Sequence, residues 1–155
     1  MPLLPAPTLT HFCTLEVALS KPMVIGDVHG ASKRVIPIRG GTVSGPGISG
    51  TILDFGADWQ RVFDNGVAAL DARYAFETDD GALIEIENFG FRHGPPEVLA
   101  KLAAGEVCPP ESYYMRTAAR LSTGHPKYDW INRTMFVGTG ARLQSAVQIE
   151  LYAVG

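Results

Sequence analysis

Cysteine is nearly missing from this chain, since Cys13 and Cys108 are the only two among 155 residues. They have neither CxxC spacing nor companion cysteines, so the sequence indicates neither a disulfide framework nor a zinc module. The four histidines form no HxH or HExxH motif, and we expect no metal site. A reducing compartment, the cytoplasm, is the simplest expectation.

Positive charge is also scarce and dispersed. Thirteen Lys and Arg stand against 16 Asp and Glu, which gives a formal net charge of −3. The basic residues do not gather into a patch that could follow a phosphate backbone, so nucleic acid is not an expected partner. Apolar runs such as Val67–Leu70 fall far short of the roughly 20 residues that a membrane helix needs. The first seven residues do not resemble a secretory signal, and we expect neither membrane insertion nor export.

The common motifs of nucleotide binding and nucleophilic catalysis are missing as well. The glycine-rich stretch Gly40–Gly47 contains no Walker Lys-Ser/Thr pair, and it lacks a GxGxxG between a strand and a helix. It therefore indicates bends and bulges. There is no GxSxG elbow and no Cys-His pairing signature. We expect no cofactor.

Turn-forming residues are abundant, with 17 glycines and 11 prolines at short intervals. The segments between them are rich in Val, Ile, Thr, Tyr and Phe, which are typical of strands. The length suits one domain, residues 1–155. Ten strands are too many for one flat sheet, so we predict an all-β fold, a single antiparallel β-barrel. The predicted strands are Leu9–Leu19, Val24–Val28, Lys33–Ser44, Ile48–Leu53, Asp58–Phe63, Val67–Thr78, Ala82–His93, Ser112–Ala118, Asn132–Thr139 and Arg142–Val154.

Turn residues and one helix complete the predicted architecture. The helix spans Pro96–Ala104, with proline suited to its first turn and Gly105 placed to end it, and it is short enough to serve as a lid or a plug for the barrel end. Asn-Gly and Asp-Gly supply the positive φ angles of hairpin turns. Hairpins are therefore predicted at Asp64-Asn65-Gly66, Asp79-Asp80-Gly81 and Gly138-Thr139-Gly140.

Alternation along the strands predicts which side chains face the barrel interior. In Val67–Thr78 the inward face carries Leu70, Ala72, Tyr74 and Phe76, whereas Asp71 lies on the outward face. In Ala82–His93, Glu85 and Glu87 mark the solvated face, which leaves Asn88 and Arg92 pointing inward. Polar groups in that position need a partner, a water molecule or a ligand. We extend the same analysis to the pairs Tyr114 with Arg116 and Asn132 with Thr134.

Two tryptophans are candidate pocket walls, because indole rings offer stacking area and an N–H donor. Trp59 is the stronger candidate and Trp130 the weaker. For every residue of this set there is a plain structural alternative. A buried Trp is more often core filling, and a buried Tyr, Asn or Arg is as often a satisfied core residue as a site residue.

The order of motifs along the chain resembles the domain of unknown function 3237 family, from about Thr10 to Val154. This resemblance implies a β-barrel fold found in bacterial and fungal proteins, and it supplies no reaction. The family pattern touches Trp59, Asp71, Tyr74, Arg116, Trp130 and Asn132; a bulge would be needed to turn Asp71 inward. The motifs that carry the resemblance are Ile36-Pro37-Ile38, Gly40-Gly41, Gly45-Pro46, Gly56-Ala57-Asp58-Trp59, Leu70-Asp71-Ala72-Arg73-Tyr74, Thr78-Asp79-Asp80-Gly81, Asn88-Phe89-Gly90, Tyr114-Met115-Arg116, Tyr128-Asp129-Trp130-Ile131-Asn132 and Phe136-Val137-Gly138.

Three functions remain open at this point. The first is a cofactor-independent enzyme for isomerisation, cyclisation, or addition or loss of water on a small hydrophobic or aromatic metabolite. In it, Tyr74, Arg116 and Asp71 are the predicted catalytic residues. The predicted ligand-binding residues are Trp59, Asn88, Arg92, Tyr114, Trp130 and Asn132. The second is a lipocalin-like carrier or sensor, and the third is a solid structural barrel. The expected partner is a small molecule, and the sequence leaves a homodimer open.

Overall fold

The chain folds into an antiparallel sheet that closes on itself as a barrel. The computed structural model describes residues 1–155. One α-helix, α1 (Pro96–Ala103), and two 3₁₀ segments, Pro110–Ser112 and Pro126–Arg133, accompany the strands. None of the helices has the length and apolar character needed to cross a membrane. The strands are β1 Leu9–Leu19, β2 Met23–Val28, β3 Ala31–Ser44, β4 Ser49–Ile52, β5 Ala57–Val62, β6 Ala68–Thr78, β7 Leu83–His93, β8 Tyr114–Ser122, β9 Phe136–Arg142 and β10 Ala146–Val154.

The barrel has eight strand positions around its wall. From β1 the order runs through β10, β9, β8, β7 and β6, and the ring closes through β3 back to β1. Strands β4 and β5 share the position between β3 and β6: β5 pairs with the first halves of both strands, and β4 pairs with their second halves. Strand β2 pairs with β3 alone and lies outside the ring.

Two glycines allow β3 to change partners in its middle. Gly40 and Gly41 have φ angles of 119° and 135°, which residues other than glycine rarely adopt. A Cβ atom on Gly41 would lie 1.9 Å from the carbonyl oxygen of Glu16 on β1. Glycine therefore permits both the bend of β3 and its close approach to β1.

The inward faces of the strands line the barrel interior, and one end is sealed by aromatic rings. Phe136 is fully buried, and its ring contacts Phe12 and Trp130 with centroid distances of 5.2 and 5.9 Å. The 3₁₀ segment Pro126–Arg133 buries Tyr128 and Ile131 at the same end. Each such side chain contributes about 1.5–3 kcal/mol through burial, so this end is a packed core.

The predicted all-β barrel, the ten strands and the helix are confirmed, with boundaries that shift by a few residues. The hairpins at Asp64-Asn65-Gly66 and Asp79-Asp80-Gly81 are also confirmed, because each joins an antiparallel pair.

The third predicted hairpin is wrong. Gly138 and Gly140 lie inside β9, and the chain turns at residues 143–145 instead. A Cβ atom on Gly138 would lie 2.5 Å from the hydroxyl oxygen of Thr117, and one on Gly140 would lie 2.8 Å from the sulfur of Met115. These glycines therefore serve the close packing of β9 against β8 and do not form a turn.

The predicted strand Asn132–Thr139 begins only at Phe136. The residues before it form the 3₁₀ segment, which starts with Pro126 after the side chain of His125 accepts a hydrogen bond from the backbone N–H of Lys127. Asn132 therefore lies on a helical turn, where strand alternation does not apply.

Candidate small-molecule site in the barrel

The barrel encloses a cavity toward the end opposite the aromatic seal. Its volume, measured over the positions that a water centre can occupy, is about 40 Å³. At about 10–15 Å³ for each water, this holds roughly three water molecules. The wall is mainly apolar, with Ile38, Leu70 and Ile149 among its residues. Its polar residues are Asp58, Gln60, Tyr74, Asn88, Arg92, Thr117 and Arg142.

Unused hydrogen-bonding capacity is concentrated in this cavity. Five buried side-chain atoms of the protein lack a hydrogen-bond partner, and all five belong to residues of the cavity wall. Buried polar atoms are normally paired, and each unpaired one costs about 1–3 kcal/mol. Their hydrogen bonding would be completed in this cavity by water or by a ligand. The atoms are Tyr74 Oη, Asn88 Oδ1, Arg92 Nε, Thr117 Oγ1 and Arg142 Nε.

Asp58 is the only carboxylate of the cavity wall, and a chain of hydrogen bonds holds it in place. The Nε of Arg34 donates to Oε1 of Gln60 over 2.9 Å. Because arginine can only donate, the amide nitrogen of Gln60 is directed toward Asp58, and it donates to Oδ2 over 2.7 Å. The carboxylate is thus oriented by a residue that is itself 4% exposed.

The other oxygen of Asp58 accepts a hydrogen bond at a gap in the pairing of β5 with β6. The pairing of these strands is interrupted between Asp58 and Arg61. The backbone N–H of Asp71, which faces this gap, donates instead to Oδ1 of Asp58 over 2.9 Å. Burial raises the pKa of Asp58 above its ordinary value, although the bonds from Gln60 and Asp71 and the charges of Arg92 and Arg34 oppose the shift. Burial is thus the largest influence on the pKa of Asp58.

Tyr74 presents a protonated hydroxyl to the same space. Its side chain is 3% exposed, and burial, assisted by Cys13, raises its pKa well above the usual range. Asn88 lies near enough to lower that pKa slightly, although the two groups form no hydrogen bond of normal geometry. At neutral pH the hydroxyl is therefore a hydrogen-bond donor without a protein acceptor.

Three arginines stand at the half-exposed rim of the cavity. Burial, followed by the charges of Arg34 and Arg142, lowers the pKa of Arg92 to about 10. Burial and the charge of Arg142 lower the pKa of Arg34, against the opposing effect of Asp58. None of the three forms a salt bridge within 4.0 Å. The rim therefore carries more positive charge than the protein neutralises.

Cys13 is buried beneath the cavity. Burial, and to a smaller extent the charge of Glu150, raises the pKa of its thiol to about 12. A thiol with so high a pKa carries almost no thiolate at neutral pH, so it is a poor nucleophile. Its place is in the core.

Three of the sequence-predicted site residues lie together in the cavity wall. Tyr74, Asn88 and Arg92 point inward as strand alternation predicts for β6 and β7, and the pairing of these strands is continuous along the whole of the hairpin. Their predicted roles in binding or catalysis stay predictions.

The predicted inward orientation of Arg116 and Tyr114 is wrong. Strand β8 buries Met115 and Thr117, whereas Tyr114 and Arg116 are exposed on the outer surface. The phase was misassigned because β8 continues to Ser122, and its inward face alternates from Met115 onward. Arg116 therefore lies on the opposite side of the sheet from Tyr74. Its guanidinium group lies 5.4 Å from the ring centre of Tyr114.

Asp71 and Trp59 also face outward. The pairing of Asp71 with Phe89 is regular, so no bulge turns the Asp71 side chain inward, and only its backbone reaches Asp58. Trp59 is 52% exposed, because alternation along β5 directs its two neighbours into the cavity. The prediction of Trp59 as a wall of the pocket is therefore wrong.

Trp130 and Asn132 lie at the sealed end, away from the cavity. Trp130 packs edge-on against Phe12 with ring centres 5.3 Å apart. Asn132 accepts a hydrogen bond from the backbone N–H of Thr123 and donates to its carbonyl oxygen. Both residues stabilise local structure there, and neither can contact a ligand in the cavity.

Sequence reasoning missed four polar residues that the structure adds to the cavity wall. Asp58 and Gln60 could have been found, because placing either residue inward follows directly from placing Trp59 outward. Thr117 required the correct phase of β8. Arg142 required the true end of β9, which the misplaced hairpin obscured. The structure has no group of three or more His, Cys, Asp or Glu arranged to hold a metal ion.

These features define a class, the small closed antiparallel β-barrel with a cavity at one end. Solved structures share the architecture. A protein of unknown function from Rhodopseudomonas palustris superposes with a TM-score of 0.95 at 42% identity, covering 98% of this chain and all of that one. A β-barrel-like protein from Acinetobacter baumannii gives a TM-score of 0.87 at 39% identity, covering 100% of both chains.

The chain belongs to the family described as protein of unknown function (DUF3237), whose model matches residues 7–154. The resemblance inferred from the motifs is thereby confirmed. A UPF0311 protein of Rhodopseudomonas palustris is 44% identical over 150 residues, which are 96% of this chain and 98% of that protein. A structure described as an enzyme from Penicillium herquei has a TM-score of 0.76 at 19% identity, covering 100% of this chain and 99% of that one, and it shows a shared fold.

Proposed function

We propose that the barrel interior binds a small molecule, and that the protein is a cofactor-independent enzyme that moves a proton on this substrate. One observation carries the proposal: every buried side-chain polar atom without a partner lines the same cavity, beside a carboxyl group whose pKa is raised. A site with convergent polar groups on a mainly apolar wall is what small-molecule recognition requires.

Asp58 is the group that accepts and returns the proton. General acid–base catalysis is most efficient when the pKa of the catalytic group lies near the working pH, and burial moves the pKa of Asp58 in that direction. The hydrogen bonds from Gln60 and from the backbone of Asp71 fix the position of the carboxylate, so little reorganisation precedes proton transfer.

Tyr74, Asn88 and Arg92 orient the substrate. The hydroxyl of Tyr74 stays protonated because its pKa is raised, so it can donate to an oxygen that gains negative charge as the proton leaves. Arg92 replaces Arg116 as the residue that holds a substrate oxygen, because its side chain faces the cavity. These groups are sufficient for isomerisation, cyclisation, or addition or loss of water.

The alternatives meet specific objections. A solid structural barrel would have no use for five buried unpaired polar atoms. Against a passive carrier we set the position of Asp58, a carboxyl group that two hydrogen bonds fix in the wall of the cavity. The Penicillium herquei protein, described as an enzyme, supports the view that a barrel of this shape can serve catalysis. The reaction itself has to be argued from the site, because folds host many functions.

The test compares turnover by the wild type, Asp58→Asn and Asp64→Asn. Each protein is incubated with a mixture of small metabolites, and mass spectrometry follows which compounds change. We expect Asp58→Asn to lower the rate about 10²–10⁴-fold. Asp64 is an exposed carboxylate in the turn of the same β5–β6 hairpin, so Asp64→Asn should retain the wild-type rate.

Two results would contradict the proposal. Asp58→Asn with wild-type turnover would remove the acid–base role. Intact ligand extracted from the purified wild type, with no turnover of that ligand, would make the protein a carrier.

A further inference from the structure

The rim of the cavity has an excess of positive charge, which favours an anionic ligand. Three guanidinium groups, of Arg34, Arg92 and Arg142, influence one another there, and Asp58 is the only carboxylate among them. The chain as a whole carries a net charge of −3, so the cluster runs against the overall charge. Like charges brought together in a partly buried place are unfavourable unless an anion compensates them.

The hydrogen-bonding state of these arginines indicates which of them are available. Arg34 uses its Nε in the bond to Gln60. The Nε atoms of Arg92 and Arg142 are buried and without partners. Guanidinium groups bind planar carboxylates through two parallel N–H donors, and such charge-assisted bonds are about twice as strong as neutral ones. Arg92 and Arg142 are therefore the two arginines of the rim whose Nε donors are unused.

Burial along the cavity gives the ligand an orientation. The arginines and Asp58 are half-buried, whereas Tyr74, Asn88 and Thr117 are 3%, 3% and 7% exposed. An anionic group at the rim thus lies nearer to water than the rest of the molecule. The deeper part meets an apolar wall and the unpaired oxygens of these three residues.

We infer that the ligand is a short-chain organic acid whose carboxylate is bound by Arg92 and Arg142. A further oxygen atom of the ligand, outside the carboxylate, contacts Tyr74 or Asn88. This inference rests on the proposed interior site and adds the substrate class to it. The small volume, about 40 Å³, restricts the enclosed part of the ligand to a few carbon and oxygen atoms. The apolar wall favours an organic acid over inorganic phosphate, whose four oxygens would leave that wall without a partner.

The test measures the affinity of three probes by NMR titration of the labelled protein. The probes are 3-hydroxypropanoate, the neutral 1,3-propanediol and inorganic phosphate. Because a charged hydrogen bond contributes about 1.5–3 kcal/mol, we expect the acid to bind at least about tenfold more tightly than the diol. Phosphate should bind more weakly than the acid.

Variants locate the binding of the carboxylate. Arg92→Met and Arg142→Met keep the apolar stem, and each should lower the affinity for 3-hydroxypropanoate about tenfold or more. Because both variants test the same carboxylate contact, one of them still decides the result if the other misfolds. The matched control is Arg116→Met, which removes the same charge from the outer surface and should change the affinity less than about twofold.

Each other outcome has a distinct meaning. Equal binding of the acid and the diol, unaffected by Arg92→Met, would overturn the carboxylate inference and leave the interior site standing. Tighter binding of phosphate than of the acid would also overturn it. If no probe binds, the inference fails, and the turnover of Asp58→Asn still decides the proposed function separately.

Discussion

The two ends of this barrel treat polar side chains in opposite ways. At the sealed end Asp80 accepts hydrogen bonds from Thr78, Lys127 and Tyr128, over 2.6, 2.5 and 2.9 Å. At the cavity end five polar atoms have no such partner. Polar groups that satisfy one another stabilise a fold, whereas convergent polar groups without partners are available to a ligand.

Two tyrosines show the difference most simply. Tyr128 and Tyr74 are 4% and 3% exposed, so both rings lie in the core. The hydroxyl of Tyr128 donates to the carboxylate of Asp80, but the hydroxyl of Tyr74 has no partner. Equal burial therefore accompanies opposite states of the hydroxyl, bonded within the protein at one end and unpaired at the other.

The largest expected effect on stability is at the sealed end. Phe136→Ala removes a fully buried ring that contacts Phe12 and Trp130, so it should lower the free energy of unfolding by about 3–5 kcal/mol. Denaturant unfolding with a fixed m-value measures this loss. A loss below about 1 kcal/mol would show that this end is not the packed core described here.

A smaller effect on stability is expected at Asp80 of the sealed end, and it should depend on pH. Hydrogen bonds from Lys127, Thr78 and Tyr128 hold the pKa of Asp80 below its ordinary value of 3.8. A carboxyl group with a lowered pKa in the folded state stabilises the fold above its ordinary pKa, and this contribution is lost as the pH falls through the folded-state pKa. Asp80→Asn should therefore melt below the wild type at pH 7, and the gap should shrink below about pH 4.

The control for this comparison is Asp64→Asn, because the Asp64 carboxylate is exposed in a turn. Its melting temperature should follow that of the wild type across the same pH range. A constant gap between Asp80→Asn and the wild type from pH 7 into acid would argue against the role of the ionised carboxylate.

The smallest expected effect concerns the outer face of β8. Arg116→Ala removes an exposed side chain on the far side of the sheet from the cavity, so ligand affinity and turnover should change less than about twofold. Calorimetry with 3-hydroxypropanoate as the probe, and turnover assays with any compound that the wild type converts in the metabolite mixture, measure this. A loss as large as that of Arg92→Met would move the functional surface to the outside of the barrel.

Local sequence patterns were sufficient for the architecture of the barrel and for part of the site. Alternation in the β6–β7 hairpin predicted the inward orientation of Tyr74, Asn88 and Arg92 correctly, because an Asp-Gly turn sets the register and glutamates mark the outer face. Strand phase depends on such markers. Where two of them agree, a single sequence can orient a side chain.

The rest of the site could not be predicted because its markers were ambiguous. The predicted strand Ser112–Ala118 omits Arg120 and Leu121, which mark the outer and inner faces of β8, so it did not distinguish Arg116 from Met115. Asp58 was missed because Trp59 was assigned to the pocket wall. The two residues are neighbours on β5, so their side chains lie on opposite faces of the sheet. Which polar atoms find partners is a property of packing across the barrel, and no local pattern contains it.

The most direct test of the account is the stability of two matched variants, Tyr74→Phe and Tyr128→Phe, measured by denaturant unfolding without ligand. Removing the bonded hydroxyl of Tyr128 should cost about 1–3 kcal/mol, whereas removing the unpaired hydroxyl of Tyr74 should leave stability unchanged or raise it by up to about 1 kcal/mol. Equal losses in both variants would contradict the claim that the polar groups of the cavity are held ready for a ligand.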